Sequence, residues 1–209
     1  MEKTKAIISK FKNLLRPYYH HGLMATSFIK IRLLGTTASR LEIGSGPAKR
    51  EGWLTLDMSS GADVFWDLRR RLPFDDGCFD QVYCSHVLEH FSFNELKLLL
   101  LEVRRVLRRG GEFLITVPDA SLYVDAYLGR RSGGELMKYA PAVCSGKPMD
   151  ILNYIFYMDG HHKFMFDNES LAFHCEGAGF VECAVRPFDE NLDMPARDYE
   201  SLYMRCCKQ

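Results

Sequence analysis

Short apolar runs alternate with longer amphipathic stretches through most of the chain. Five apolar runs predict strands, at 39–43, 53–57, 63–66, 79–84 and 112–117. A helix is predicted near 94–108, because leucine and valine recur there on one helical face and Gly110-Gly111 follow as a C-terminal stop. This order of elements predicts an α/β fold.

The C-terminal part of the chain continues the pattern after a long interruption. A helix is predicted near 168–177, and the β-like runs 180–187 and 200–207 can form an antiparallel hairpin at a sheet edge. Residues 119–165 interrupt the pattern with tyrosines, a glycine and proline cluster and an aromatic run. Long insertions after strand ends usually shape the binding crevice of such sheets. We therefore expect one domain over 38–209, with this insertion beside the ligand.

The segment 1–37 is predicted to be a helical lid or a peripheral segment. Residues 3–16 place five apolar side chains at helical spacing, with basic side chains on the other faces. The first 40 residues carry eight Lys and Arg against one acidic residue. Such a helix can pack on the domain, or it can lie on an anionic membrane surface. Both interpretations stay open at this point.

Composition and net charge are ordinary for a globular protein and exclude few classes of function. The 209 residues are 47% hydrophobic and 26% charged, which is ordinary for a globular protein. The formal net charge of zero gives no argument for a nucleic-acid partner. We expect a cytoplasmic protein, with peripheral membrane contact through residues 3–16 as the alternative, because there is no membrane-spanning run and no secretory signal. The seven cysteines, without paired C-x-x-C spacing, are expected to be reduced.

A glycine-containing turn joins the first two predicted strands. Gly44 and Gly46 let the backbone turn tightly and approach a ligand, and Asp57 at the tip of the second strand can accept hydrogen bonds from ribose hydroxyls. An adenosine-containing cofactor is therefore predicted. A dinucleotide fits badly, because Lys49 occupies the place of the third glycine in G-x-G-x-x-G. The short interval to Asp57 also leaves little room for a helix that binds pyrophosphate.

Four segments resemble, in order, the motifs of class I S-adenosylmethionine (SAM)-dependent methyltransferases, most closely the small bacterial type 11 group. They are residues 42–46 (EIGSG), 66–80, 85–90 (SHVLEH) and 106–111 (VLRRGG). The resemblance covers roughly residues 38–120. It implies a Rossmann-like fold with a mostly parallel seven-stranded sheet and a terminal antiparallel hairpin. It also implies that the cofactor is SAM and that the chain is a methyltransferase, so that the insertion 119–165 is expected to shape the acceptor site.

Nine residues are predicted to bind the cofactor: Glu42, Gly44, Ser45, Gly46, Asp57, Met58, Asp67, Leu68 and Ser85. The glycine loop would pass beneath the carboxypropyl part of SAM, and Met58 would pack on the adenine. The resemblance implies that Asp67 accepts from the adenine amino group while the Leu68 backbone addresses a ring nitrogen. Glu42 would be costly to bury unpaired, so a ligand ammonium or backbone donors are expected beside it. Plain turns and turn-capping aspartates are the alternative interpretation.

Methyl transfer depends mainly on holding a nucleophile in line with the methyl group and on excluding water. A hydroxyl acceptor benefits from a general base, for which the candidates are His86, Asp119 and either His162 or its neighbour His161. Tyr123, Tyr127 and Tyr154 can line an acceptor pocket or belong to the core. We expect a small-molecule acceptor, methylated at a hydroxyl, and a sugar or glycan is suggested by family analogy and by the basic N-terminus. A SAM-binding sensor or scaffold without turnover is the alternative.

The string His86-Val87-Leu88-Glu89-His90 also matches H-x-x-E-H, a signature of zinc hydrolases. On a helix the two histidines would share one face and could bind zinc, with Glu89 as general base. The string directly follows a predicted strand, however, and the sequence singles out no third ligand. We therefore predict no metal site, and a zinc hydrolase is the least favoured function.

Overall fold

A computed structural model of the chain describes residues 18–33, 35, 37–139 and 144–209. The helix predicted over 3–16 lies outside the described residues. Residues 18–33 form a helix, α1, which contacts the domain near Trp66. The Phe28 ring stacks on Trp66 with centroids 6.4 Å apart, and Ser27 Oγ accepts a 3.1 Å hydrogen bond from the backbone N–H of Phe65. Among the described helices, none combines the length and apolar content needed to cross a membrane.

Seven strands of the described chain form one sheet in the order β3-β2-β1-β4-β5-β7-β6. Their bounds are Arg40–Ile43 (β1), Leu54–Asp57 (β2), Val64–Phe65 (β3), Phe79–Ser85 (β4), Leu107–Pro118 (β5), Val181–Val185 (β6) and Ser201–Cys207 (β7). Strands β1 to β5 are parallel, and β7 runs antiparallel to both β5 and β6. The predicted Rossmann-like sheet with its terminal antiparallel hairpin is confirmed.

Four further helices are described: α2 (Phe93–Val106), α3 (Ala120–Tyr127), α4 (Met149–Tyr157) and α5 (Asn168–Gly177). Helix α2 begins behind a capping box, in which Ser92 and Glu95 exchange hydrogen bonds. The helices predicted near 94–108 and 168–177 are confirmed, but the predicted stop of the first one is wrong. Helix α2 ends at Val106 and β5 begins at once, because Leu107 is fully buried and pairs with Phe79 of β4. The two glycines lie inside β5.

The main core lies where the parallel strands meet α2 and α5. Strand β5 is buried continuously from Phe113 to Pro118, as expected for a strand covered on both faces. Helix α2 contributes five buried side chains to this core: Leu96, Leu99, Leu100, Val103 and Val106. Each fully buried aliphatic side chain stabilises the fold by about 1.5–3 kcal/mol. The rigid sheet that results fixes the positions of the loops at its carboxyl edge.

The insertion 119–165 has a small core of its own between α3 and α4. Its buried members are Tyr123, Ala126, Leu136, Ile151, Tyr154 and Ile155. Two of the tyrosines considered for an acceptor pocket, Tyr123 and Tyr154, are thus core residues, whereas Tyr127 is 37% exposed. The Tyr123 hydroxyl donates to the buried carboxylate of Glu200, which ties the insertion to the start of β7.

His174 on α5 is expected to make stability depend on pH. Its imidazole packs against the rings of Phe93, Phe164, Phe166 and Phe173. Burial holds the pKa of His174 below its ordinary value of 6.5, because the charged ring is poorly solvated there. The unfolded chain then takes up this proton at higher pH than the folded chain. This contribution to the free energy of unfolding is therefore expected to fall as the pH drops below about 6.5.

Urea unfolding of the His174→Gln variant at about pH 7.5 and about pH 5.5 checks this expectation. The variant should lose less stability between the two pH values than the parent chain. His161→Gln is a matched control, because the His161 side chain is exposed, and it should keep the parent's loss. Equal losses in both variants would contradict the assignment.

Candidate functional site

Four loops at the carboxyl ends of the parallel strands surround a cavity of about 420 Å³. They are the glycine loop after β1, the residues at the end of β2, the turn after β3 and the segment 86–91 after β4. The carboxyl ends of neighbouring parallel strands meet at one edge of the sheet, which is where ligands bind in such folds. Fold topology therefore gathers residues that are far apart in the sequence. We call this space the first cavity.

The glycine loop needs its two glycines for different reasons. Gly44 and Gly46 have φ values of +69° and +63°, a region that favours glycine. A Cβ atom on Gly44 would lie 2.2 Å from Cγ2 of Val87, so this position also requires the absence of a side chain. A Cβ on Gly46 would meet nothing within 4 Å. The loop is thus packed at Gly44 and open toward the cavity at Gly46.

Asp57 connects β2 to the glycine loop. Its Oδ2 accepts from the backbone N–H of Gly46 at 3.1 Å, and its Oδ1 accepts from the backbone N–H of Ser59 at 2.7 Å. Each carboxylate oxygen can accept a further hydrogen bond, so the geometry leaves room for two ribose hydroxyls. Met58, which is 37% exposed, lines the same cavity.

Asp67 follows β3 and lines the first cavity beside Trp66 and Leu68. Its Oδ1 accepts from the backbone N–H and from Nε of Arg69, at 3.0 and 2.9 Å. Burial raises the pKa of Asp67, but the hydrogen bonds and charge of Arg69 outweigh it and the pKa is lowered. Both hydrogen bonds end on Oδ1, so Oδ2 can accept from a ligand.

A second cavity, of about 430 Å³, adjoins the first. The two cavities share Gly44, Gly46 and His86 as lining residues. The second one continues past Glu42, Ser45 and Ser85 toward the segment 190–197. All nine residues predicted to bind the cofactor line one cavity or the other.

The environment of Glu42 differs from the expectation. Its carboxylate, 13% exposed, forms an ion pair with Arg50, whose Nε lies 2.9 Å from Oε2. The sequence predicts a ligand ammonium or backbone donors there instead. Arg50 follows the glycine loop closely in sequence, and its side chain folds back over Trp53 and Tyr83 to reach Glu42. This residue was missed because nothing in the sequence indicated that fold-back.

The segment 190–197 was also missed, although it supplies much of the second cavity wall. A buried ion pair holds it: both oxygens of Asp193 accept from Arg186, at 2.6 and 2.7 Å. The hydroxyls of Tyr83 and Thr116 also donate to Asp193. Burial raises the pKa of Asp193, but the hydrogen bonds from Arg186 outweigh it and the pKa is lowered. This polar loop has no periodic pattern by which the sequence could have placed it.

The structure separates the three predicted catalytic residues. His86 lines both cavities in a left-handed conformation, with φ of +52°, which is strained for a non-glycine residue. Asp119 and His162 are not among the described residues that line the two cavities. Asp119 caps α3 by accepting from the backbone N–H of Ser121 at 2.9 Å.

Hydrogen bonds fix which ring nitrogen of His86 carries the hydrogen. The Ser201 hydroxyl donates to the Arg197 carbonyl at 2.7 Å, so the 2.9 Å contact between Ser201 Oγ and Nε2 of His86 requires the ring to donate. Nδ1 of His86 is then the ring atom with a lone pair in the neutral form.

His162 is buried, and burial lowers its pKa. Residues 88–90 form a single 3-10 turn, so His86 and His90 do not share the helix face that the zinc hydrolase alternative needs.

One family model matches part of the chain, and many solved structures have a similar fold. Residues 62–115 match a family model described as a methyltransferase domain. No curated protein matches the chain. A SAM-dependent methyltransferase from Archaeoglobus fulgidus is 17% identical, with a TM-score of 0.53 over 94% of this chain and 99% of that one.

Two other solved structures are similar over nearly the whole chain. A SAM-dependent methyltransferase from Thermotoga maritima, described as a possible histamine N-methyltransferase, is 18% identical, with a TM-score of 0.51 over 97% of this chain and 96% of that one. The 1,6-didemethyltoxoflavin-N1-methyltransferase of Burkholderia thailandensis, with 1,6-didemethyltoxoflavin and S-adenosylhomocysteine bound, is 14% identical, with a TM-score of 0.50 over 98% and 86%. At these identities the likeness shows the fold.

Proposed function

We propose that this chain is a class I SAM-dependent methyltransferase with SAM as its cofactor, and that it transfers the methyl group to a hydroxyl of a small-molecule acceptor. The observation that supports this proposal is the junction of the two cavities at Gly44, Gly46 and His86. A ligand with a nucleoside in the first cavity and an amino-acid end beyond the glycine loop has its sulfonium near this junction. An acceptor held at the junction would therefore meet the methyl group.

The first cavity suits the adenosine part of the cofactor. Trp66, Leu68 and Met58 offer apolar surface for the adenine, while Asp57 and Asp67 offer carboxylate oxygens. Mostly apolar walls with a few fixed polar groups are typical of small-molecule sites. We propose that the nine predicted residues bind SAM, with Glu42 acting together with Arg50 and not alone.

The second cavity favours a polar, uncharged acceptor. Of the five Asp, Glu and Arg residues that line it, only Glu190 is without an ion pair among the described residues: Glu42 pairs with Arg50, Asp193 with Arg186, and Arg197 with Glu200. The hydroxyls of Tyr83 and Ser85 and the amide of Asn191 add hydrogen-bonding groups. A wall rich in hydrogen-bonding groups but with few unpaired charges fits a hydroxyl-rich ligand such as a sugar. We propose sugars as the first acceptor class to test.

His86 is the residue that we propose as the general base. A hydroxyl must lose its proton during methyl transfer, and a neutral imidazole can accept it. His86 lines both cavities, but its Nε2–H donates to Ser201 and its Nδ1 is buried 3.6 Å from Oε1 of Glu89, so acting as the base requires its ring to turn toward the junction. Asp119 and His162 are better explained as a helix cap and a buried hydrogen-bonded residue.

The proposal is tested by measuring cofactor binding and methyl transfer separately. Calorimetry with SAM and S-adenosylhomocysteine establishes that the protein is loaded. Transfer of a labelled methyl group is then measured with pools of sugars, phenols, amines and thiols. We expect label in an ether that survives mild alkali. Label on nitrogen would overturn the hydroxyl assignment, and tight SAM binding without any product would favour the sensor or scaffold.

Asp57→Ala is expected to weaken binding of S-adenosylhomocysteine by about 1–3 kcal/mol, which is roughly 5- to 150-fold in Kd. The substitution removes the acceptors for the ribose and also frees the backbone N–H of Gly46. Titration calorimetry measures the change. Asp63→Ala is the matched control, because its carboxylate pairs with Lys49 and Thr55 and does not line the first cavity. An unchanged affinity for Asp57→Ala would refute the ribose assignment.

A further inference from the structure

A buried carboxylate without a hydrogen-bond partner lies directly behind the first cavity. Glu89 is 1% exposed, and its Oε2 has no hydrogen-bond partner among the described residues. Its Oε1 lies 3.6 Å from Nδ1 of His86 and 4.0 Å from Nε2 of His90, both too far for a hydrogen bond. An ionised carboxylate buried in this way costs several kcal/mol unless a cation or donors compensate it.

Two imidazoles face this carboxylate with their Nε2 atoms available. Nδ1 of His90 is 2.9 Å from the carbonyl oxygen of His161, and Nδ1 of His162 is hydrogen-bonded to the carbonyl oxygen of Ile155. A carbonyl can only accept, so both Nδ1 atoms carry the hydrogen and both Nε2 atoms carry a lone pair in the neutral rings. A histidine fixed by Nδ1–H on a backbone carbonyl is the arrangement typical of metal ligands.

We propose that Glu89, His90 and His162 form a binding site for Zn²⁺. One ligand atom from each residue lies within 4.8 Å of the others. Two nitrogens and one carboxylate oxygen suit zinc, whereas Mg²⁺ and Ca²⁺ prefer oxygen ligands alone. Zinc–ligand bonds of about 2.0–2.1 Å place neighbouring ligand atoms about 3.3 Å apart. The ligands must therefore draw together on binding, and His90, with its side chain 43% exposed, is the one with room to move.

The proposed zinc site lies beside the first cavity and has an open coordination position. His90 lines the first cavity, so an ion bound there adjoins the cofactor site. Three protein ligands leave a fourth tetrahedral position, which can take a water or an oxygen of another molecule. His162 supplies the third ligand, a role that the sequence did not indicate, and His86 is not part of this cluster. Zinc binding itself does not depend on the acceptor proposed above.

The test is metal titration of the full chain after removal of metals with a chelator. Zn²⁺ is titrated against a chromophoric competitor, and Co²⁺ serves as a spectroscopic probe of coordination geometry. We expect one ion per chain and cobalt bands of a four-coordinate site. Glu89→Gln and His90→Gln are each expected to weaken this binding on the order of 100-fold or more, the scale of losing a ligand or its support. Thermal unfolding checks that each variant is folded.

His161→Gln is the matched control, because it changes a neighbouring exposed histidine and leaves the backbone carbonyl that His90 uses. It should bind zinc like the parent chain. The proposal is overturned if the parent chain takes up no ion at micromolar concentrations, or if both ligand variants still bind one.

Discussion

Replacing Gly44 with alanine is expected to abolish detectable cofactor binding and to lower the free energy of unfolding by about 2–5 kcal/mol. The new Cβ would lie 2.2 Å from Cγ2 of Val87 and 3.0 Å from its Cγ1. Alanine is also strained at a φ of +69°. The loop is anchored by the Gly44 N–H, which donates to Leu56 at 2.8 Å, so it cannot move away without losing that bond. Urea unfolding and calorimetry with S-adenosylhomocysteine measure the two effects.

Two further variants separate steric clash from backbone strain at this loop. Gly46→Ala has a similar positive φ but no atom within 4 Å of the new Cβ, so it should cost about 1–2 kcal/mol. Adding Val87→Ala to Gly44→Ala removes the clashing methyl groups and should recover part of the lost stability. If Gly44→Ala and Gly46→Ala lower the free energy of unfolding equally, the close contact with Val87 is not the reason that position 44 requires glycine.

Replacing Asp193 with asparagine is expected to lower the free energy of unfolding by about 3–5 kcal/mol, because it leaves the Arg186 guanidinium largely buried without its counter-charge. The Asp193 side chain is fully buried, and Arg186 is 13% exposed. Loss of the pair should also loosen the segment 190–197 and weaken binding in the second cavity. Urea unfolding near neutral pH measures the change in stability.

A surface pair of the same residue types serves as the control for this prediction. Asp125 and Arg130 lie 3.2 Å apart with side chains 46% and 69% exposed, so Asp125→Asn should cost less than about 1 kcal/mol. The double variant Arg186→Met, Asp193→Asn removes both charges and should be more stable than Asp193→Asn alone. If the double variant is no more stable, the cost does not come from an uncompensated charge.

The stability contributed by Asp193 should also depend on pH. Its pKa is lowered in the folded chain, so the unfolded chain binds the proton first as the pH falls. The contribution is therefore present above the ordinary aspartate pKa of 3.8 and is lost progressively below it. Acid unfolding of the parent and of Asp193→Asn should converge in this acidic range.

The nine residues predicted to bind the cofactor all line the two cavities, because local patterns carry their positions. The chain from the first strand through the glycine turn to Asp57 has few possible backbone conformations. Neighbouring parallel strands also bring their carboxyl ends to the same edge of the sheet, independently of the loop sequences. The sequence failed where a side chain folds back over other residues, as Arg50 does onto Glu42. It failed again at the end of α2, where burial of Leu107 outweighed the glycine stop.

The sequence by itself determined the α/β order of elements, the glycine loop and the acids that follow two strands, because periodicity and backbone freedom are properties of neighbouring residues. The tertiary structure alone decided what lies beside those residues. It placed the segment 190–197 across the second cavity through the Asp193–Arg186 pair, and it brought His162 to Glu89 and His90. The contacts of Asp193 with Tyr83 and Thr116, and of His162 with Glu89 and His90, join residues more than 70 positions apart, and no local rule of chain conformation encodes them.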